Sequence, residues 1–397
     1  MSVTALLTTL LLSAPGPAQE SSGLYPDEVL SPPGGPEVVV FRDVSPEVVS
    51  LRLSVHLEEV PGEGGAGELI RIQAEDRMRT IANRIGAKAE VHRTPRVLVY
   101  QVTGAAADLD FLGWVLREGL KPPAHEDFEA ARRLLRVEGD RAAETPQGLL
   151  SLRLHRALAP GVPPRYGSQD ELDRMTPSRL VGIWERSHRR DGARLVVAGR
   201  IPAELVLALT VDLRLPSGEP TAGPPEPEEV RASPTSPEVI RHWTAAAYPI
   251  SEWDDAVGLV VGSWLGEVVR TEEGDFELGA DIWDVGGRRA LVVSGAAYSR
   301  SRQPMMNRTN ALLGDAAAAL TEDTVRRIRE DLRTELLAST QSAWGLAELA
   351  GQAWDAGHGP EGLARLLDAL EHVNYGEVRR LLEATAAATP IREQLDP

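Results

Sequence analysis

Cysteine is absent from the 397 residues. That removes thiol catalysis, structural disulfides, iron–sulfur ligation and cysteine-type zinc sites together. It leaves the compartment open, since large exported domains can do without disulfides. Lysine is nearly absent: Lys88 and Lys121 are the only two, so no mechanism that needs a lysine cluster is available. The eight histidines (56, 92, 125, 155, 188, 242, 358 and 372) stand singly. Neither His-x-x-Glu-His nor His-Glu-x-x-His occurs, so no pair of imidazoles has zinc-ligand spacing. Basic charge is also in deficit. A net charge of −17 argues against nonspecific nucleic-acid binding, which needs cationic surface to displace counterions, and favours solubility and basic partners. Two superficially suggestive motifs are empty as well. Gly262–Gly266 (GSWLG) lacks the strand–turn–helix context of a nucleophile elbow, and Gly62–Gly67 lacks the Lys-Ser/Thr ending of a phosphate loop.

What is present is the composition of a soluble globular chain, 42% hydrophobic and 25% charged, long enough for two domains. Val3–Leu12 is a short apolar run followed by small residues at Gly16 and Ala18, which predicts a signal peptide over 1–18 with cleavage after Ala18 and a periplasmic or secreted protein. The run is too short to span a bilayer, and no membrane span is expected. Residues 19–37 read as an extended leader. Residues 216–237 (PSGEPTAGPPEPEEVRASPTSP) are rich in proline and poor in large apolar residues, which predicts a semi-rigid linker. It divides an N-terminal domain, 38–215, from a C-terminal domain, 238–397.

An internal repeat supports that division. Leu172–Glu185 can be laid over Leu370–Glu383: each has an apolar residue, a helix N-cap (Thr176 or Asn374) and apolar positions four, seven and eight residues beyond the cap. In the first half the order of elements is strands at Glu37–Arg42 and Val49–Glu58, a helix at Ile72–Ile85, strands at Lys88–Arg93 and Val97–Thr103, four further helices and a strand at Arg194–Ala198. The second half reads strand (Val239–Ala246), helix (Trp253–Arg270), two strands (Phe276–Asp284 and Arg288–Ala296) and five helices. Strands and helices come in blocks, which predicts α+β architecture: two homologous domains, each a largely antiparallel sheet with helices packed on one face. After the Tyr375–Ala387 helix too little chain remains for a closing strand, so the second domain is expected to be trimmed or to borrow an edge. Six of the eight tryptophans lie in the second half (243, 253, 264, 283, 344 and 354) and are expected mostly in the core.

The order resembles that of the M16 (pitrilysin/insulinase-type) metallopeptidase family over almost the whole mature chain. The likeness is carried by Val49–Leu57, by Ile81–Val91 (IANRIGAKAEV), by Arg132–Glu138 followed by Thr145-Pro146, by Arg165–Leu172 (RYGSQDEL) and by Ala198–Ile201. The resemblance implies an M16/LuxS-like metallohydrolase fold and a zinc site in which His-x-x-Glu-His lies on a helix and a downstream glutamate completes the ligands. Here the motif is missing, and its helix reads as deleted or collapsed into Gly62–Ile70. Glu138 stands where the last ligand would fall, solvated or paired with Arg141 or Arg132. The glycine run Gly62–Gly67 reads as a flexible connector or a partner-facing loop. The family's second half supplies an arginine and a tyrosine to the substrate. Arg270 corresponds to the first, and Glu277 falls in place of the second, where a carboxylate would repel an oxyanion. The expectation is a non-catalytic member, with no catalytic, cofactor-binding or metal residues and no cofactor. Its implied role is to pair with an active M16 zinc peptidase subunit and form a chamber for a peptide substrate; the alternative is a stand-alone peptide-binding or structural scaffold.

Overall fold

The computed structural model describes residues 24–221 and 239–397, apart from Asp43, Pro46, Glu58, Pro95, Arg214, 251–253, Glu273 and Gly286. The expected signal peptide, most of the linker and Trp253 lie outside the described residues. The first half contains β1 (Glu28–Leu30), β2 (Glu37–Phe41), β3 (Val48–His56), α1 (Ala66–Ala82), β4 (Lys88–Arg93), β5 (Val97–Ala105), α2 (Leu109–Gly119), α3 (Phe128–Glu144), α4 (Pro146–Leu158), α5 (Gln169–Arg174), α6 (Pro177–Ser187), β6 (Ala193–Ala198) and α7 (Ala203–Asp212). The second contains β7 (His242–Pro249), α8 (Asp255–Arg270), β8 (Phe276–Val285), β9 (Arg288–Ala297), α9 (Arg302–Ala319), α10 (Glu322–Ser339), α11 (Ala343–Ala353), α12 (Gly362–His372), α13 (Tyr375–Ala387) and β10 (Ile391–Leu395).

This is an α+β fold with two sheets. The first sheet runs β1-β2-β6-β3-β5-β4 and the second β10-β7-β9-β8. Every ladder is antiparallel except β2 with β6. The helices repeated in the two halves are capped alike: Thr176 accepts from the Arg179 N–H and Asn374 from the Glu377 N–H. The expected lack of a closing strand is corrected. Ile391–Leu395 pairs antiparallel with β7, from Ile391 opposite Ala247 to Leu395 opposite Trp243. Its interior is Arg-Glu-Gln, so the apolar alternation that marks a strand is too short to read. The leader also holds a strand, β1, which pairs with β2.

Alternation along β3 sends Val49, Leu51, Leu53 and Val55 into a core shared with α1, α2, α3 and α6. Ser50, Arg52 and Ser54 point to the opposite face, yet they too are buried. That face is covered by α11 from the second half. In return, α4 of the first half sends Leu149, Leu150, Leu154 and Leu158 against Ala245, Ala247, Ala290 and Val292 on the second sheet. Each sheet's own helices thus cover one face, and a helix borrowed from the other half covers the second.

The α11 contact is built on charge. Arg52, with 1% of its side chain exposed, lies 3.0 Å from Glu348 and 2.9 Å from Asp355. Ser54 donates to Asp355 at 2.7 Å, and Gln101 donates to the Trp344 carbonyl at 3.1 Å. A Cβ at Gly351 would sit 2.6 Å from the Arg52 Cδ, so only glycine lets the helix approach this closely. Burial pushes the Glu348 carboxyl up, but Arg52, His92 and Gln352 outweigh it and hold the group well below the usual carboxylate range. Replacing Arg52 by alanine strands two carboxylates in a closed interface, at a cost of about 3–5 kcal/mol measurable by urea unfolding at neutral pH. Because Glu348 titrates lower in the folded than in the unfolded state, its contribution is full above the ordinary carboxylate pKa and is lost as pH falls through the depressed folded value. The gap between wild type and R52A therefore narrows in acid.

Candidate functional site

A single helix occupies the region where the zinc helix reads as deleted or collapsed. α1 runs for 17 residues from Ala66, beginning six residues before the expected start at Ile72. Glycine masked it. Gly65 ends the preceding loop in the left-handed region at φ 83°, and Gly67 lies inside the first helical turn. A Cβ on Gly67 would come within 2.6 Å of Leu57 and 2.8 Å of Arg93, so close packing of helix on strand accounts for a residue that otherwise reads as loop.

The glycine run is neither a flexible connector nor an exposed loop, because Gly62–Gly67 is buried throughout. Glu171 pins it: one carboxylate oxygen accepts from the Gly62 and Gly64 N–H groups, each at 3.1 Å, and the other from the Ser168 N–H at 2.8 Å. Glu63 reaches Arg186 at 2.6 Å. Glu59, with 2% of its side chain exposed, accepts from the Gly67 N–H at 2.6 Å and from Arg93 at 2.5 Å. Burial pushes the Glu59 carboxyl up to about 7 despite Arg93 and the Gly67 N–H, and the nearby Glu68 and Glu171 charges add to the rise.

The face of α1 beside this loop presents Glu68, Arg71 and Ile72 at the i, i+3, i+4 spacing that a His-x-x-Glu-His motif would use, with Glu75 one turn beyond Arg71. Glu68 is fully buried, bonded through one oxygen to Arg165 at 2.6 Å and through the other to Arg71 at 2.5 Å. Burial opposes its ionisation, but Arg165 and Arg71 prevail and its pKa is lowered. Arg71 also reaches Glu75 at 2.6 Å and, from α3, Glu138 at 3.7 Å. Glu138 therefore does converge on this helix, as the resemblance implied, but its partner is Arg71 rather than Arg132 or Arg141. Arg132 instead bonds Glu129.

These residues do not fit a zinc ion. Glu59, Glu68 and Glu138 each face a guanidinium, and no imidazole joins them. His155 on α4 is near enough for Arg93 to depress its pKa, an effect secondary to burial. His188 lies in the first core, 2.6 Å from the Tyr100 hydroxyl. Burial brings its pKa down to about 3, with a hydrogen bond to the Trp184 carbonyl opposing the fall, so it is a neutral core group. Among the described residues no group of three or more histidine, cysteine, aspartate or glutamate side chains is arranged to hold a metal.

Arg270 and Glu277 are not brought into this cluster. Arg270 is exposed at the end of α8 and donates to its own Gly266 carbonyl; Glu277 on β8 pairs with Arg241 at 3.0 Å. Trp264 and Trp354 pack in the second core and Trp243 and Trp283 against α4, while Lys88 sits 3.7 Å over the Trp344 ring. Glu59, Glu68, Arg71, Arg93, Arg165 and Glu171 belong to no recognisable motif; the Glu68-Arg71-Glu75 spacing is a local signal for them, and the expected helix start at Ile72 splits it.

No family model matches the sequence, and no curated protein matches it. Solved structures do. The chain is similar to the crystal structure of a peptidase M16 inactive domain from Pseudomonas fluorescens, with a TM-score of 0.73 at 12% identity over 92% of this chain and 97% of that one. It is similar also to a protease from Helicobacter pylori, with a TM-score of 0.77 at 15% identity over 94% of this chain and all of that one. The chain has the fold of M16 peptidase domains.

Glu59 sets a pH signature for the site. Its folded pKa lies above the unfolded value, so the folded state binds the extra proton and the contribution of Glu59 to stability falls as pH rises from about 4.5 to about 7. The stability difference between wild type and Glu59→Gln, followed by urea unfolding across that range, should decline with rising pH. A constant difference would place the Glu59 titration elsewhere.

Proposed function

We propose that this chain is a non-catalytic M16-like subunit that pairs with an active zinc M16 peptidase, supplying wall and peptide contacts to a shared substrate chamber, and that it works after export to the periplasm or beyond, with cleavage after Ala18. The observation that carries the non-catalytic reading is the α1 face. Arginine stands three residues after Glu68, where the motif would place the glutamate that activates water, and Ile72 stands where it would place the second histidine. A guanidinium cannot take a proton from water, and an isoleucine cannot ligate. The similarity to a protein described as an inactive M16 domain supports the same reading. Pairing follows from what such a scaffold is good for once chemistry is lost: surface and shape.

The test is affinity purification of the full chain from its native source, with metal analysis of the same sample. A zinc-containing M16-type peptidase should co-purify in stoichiometric amount, and the chain purified alone should be free of zinc and without chelator-sensitive peptide cleavage. Recovery only as a monomer or self-dimer overturns the pairing and turns the reading to a stand-alone scaffold. Zinc and cleavage in the chain alone overturn the non-catalytic assignment.

A further inference from the structure

β7 is an inner strand, with β10 on one side and β9 on the other. His242 opens it. Its backbone lies opposite Ala297, the last residue of β9, and the next residue, Trp243, lies opposite Leu395, the last of β10. Both neighbours run antiparallel to β7, so each leaves the sheet beside His242. β9 runs on to Ser299 and β10 to Asp396.

The three side chains meet there. His242 Nδ1 is 2.7 Å from an Asp396 carboxylate oxygen, and its Nε2 is 3.2 Å from the Ser299 hydroxyl. An ionised carboxylate can only accept, so it fixes the proton of the neutral ring on Nδ1 and leaves the Nε2 lone pair for the serine hydroxyl to donate to. Aspartate on one ring nitrogen and serine on the other is the arrangement that turns a hydroxyl into a nucleophile, whatever the order of the residues along the chain.

The surroundings hold this set in place. Arg302 reaches Asp396 at 3.2 Å. Arg241 lies between the Trp243 and Tyr298 rings, 5.5 and 5.4 Å from their centroids, and donates to the Ala296 carbonyl at 3.1 Å, which braces the turn before Ser299. Ser299 itself stands at a strand–turn–helix junction. β9 ends at Ala297, a 3₁₀ turn covers Ser299–Ser301, and α9 continues for 18 residues from Arg302. Negative charge forming at this serine therefore falls at the positive end of a helix. The His242 side chain is 13% exposed while Ser299 is exposed, so a reagent can reach the hydroxyl while the ring stays sheltered.

We propose that Ser299, His242 and Asp396 form a metal-independent acyl-transfer site that hydrolyses small, neutral carboxylic esters. It is independent of the non-catalytic reading of the α1 face, which concerns zinc chemistry. Arg241, Arg300 and Arg302 face Glu277, Asp275 and Asp396, so their charge is spent and does not select an ionic substrate. Ser299 Oγ attacks the ester carbonyl carbon as His242 Nε2 takes the hydroxyl proton. The tetrahedral adduct expels the alkoxide, which leaves as the alcohol with that proton. Water then attacks the acyl-serine, gives a proton through His242 back to Ser299 Oγ, and the carboxylic acid departs. Asp396 positions the ring; at 52% exposure it stabilises the imidazolium less than a buried carboxylate would, so turnover is slow and acylation is the step to read.

The experiment treats the full chain with a fluorophosphonate, from which an activated serine displaces fluoride, and follows intact mass and the labelled peptide; release of p-nitrophenol from p-nitrophenyl acetate is measured alongside, with and without EDTA. Wild type should take up one label, on Ser299, and cleave the ester equally in EDTA. Ser299→Ala should lose the label, and His242→Asn should slow labelling on the order of a hundredfold. Asp396→Asn should slow it about tenfold or more with Tm unchanged, and Asp396→Glu should restore part of the rate. Should His242→Asn fail to fold, the two Asp396 variants report on the ring in its place. Wild type that takes up no label, a label that persists in Ser299→Ala, or labelling of Ser299 that folded His242→Asn and both Asp396 variants leave unchanged overturns the proposal.

Discussion

The structure depends on one charged contact, Arg52 held between Glu348 and Asp355. It is the point at which the first sheet's second face is closed by a helix from the far half of the chain. Each sheet is incomplete alone, being apolar on one face against its own helices and needing a cover on the other. The cover is exchanged, α11 for α4, and the two exchanges differ in kind. α4 buries leucines against alanine and valine, a contact whose strength depends on area. α11 brings carboxylates to a buried arginine and brings Gly351 against the same side chain, a contact that tolerates one register. The apolar exchange holds the halves together, and the ionic one fixes how they meet.

Much of this was legible in the residues. The blocks of strands and helices and the paired N-caps at Thr176 and Asn374 were enough for two α+β halves in the right order. What misled was context. The Ser50-Arg52-Ser54 face carries no local mark of its cover, because alternation reports polarity, and polarity does not distinguish water from a buried partner about 300 residues away. Gly65 and Gly67 read as loop because propensity does not record that a strand side chain needs the space. The Arg-Glu-Gln interior of β10 is held by its ladder with β7, a long-range cause with no local signature. The candidate site failed in the same way: its carboxylates come from α1, α3, α5 and the β3–α1 loop, and only their arginines, which are common everywhere in this chain, mark where they meet.

The cluster shows how a group of buried carboxylates can be settled by guanidinium partners. Carboxylates remain at the loop and on both helices, but each has a guanidinium where a catalytic arrangement would need an open oxygen. Glu171 spends both oxygens on backbone N–H groups of the loop and of its own helix cap. The outcome is a region with many ionisable groups, most of them held by a charged or backbone partner, in which burial lifts the Glu59 carboxyl to about 7.

The exchange of helices also sets an order of assembly. Arg52 leaves the ribosome 296 residues before Glu348, so during synthesis the first sheet's polar face has no cover and its arginine no counterion. The first half can collapse on its apolar face early, but it cannot lock until α11 has been made. A chain built this way spends most of its synthesis half-closed, dependent on its own late segments or on a chaperone to shield the face that waits.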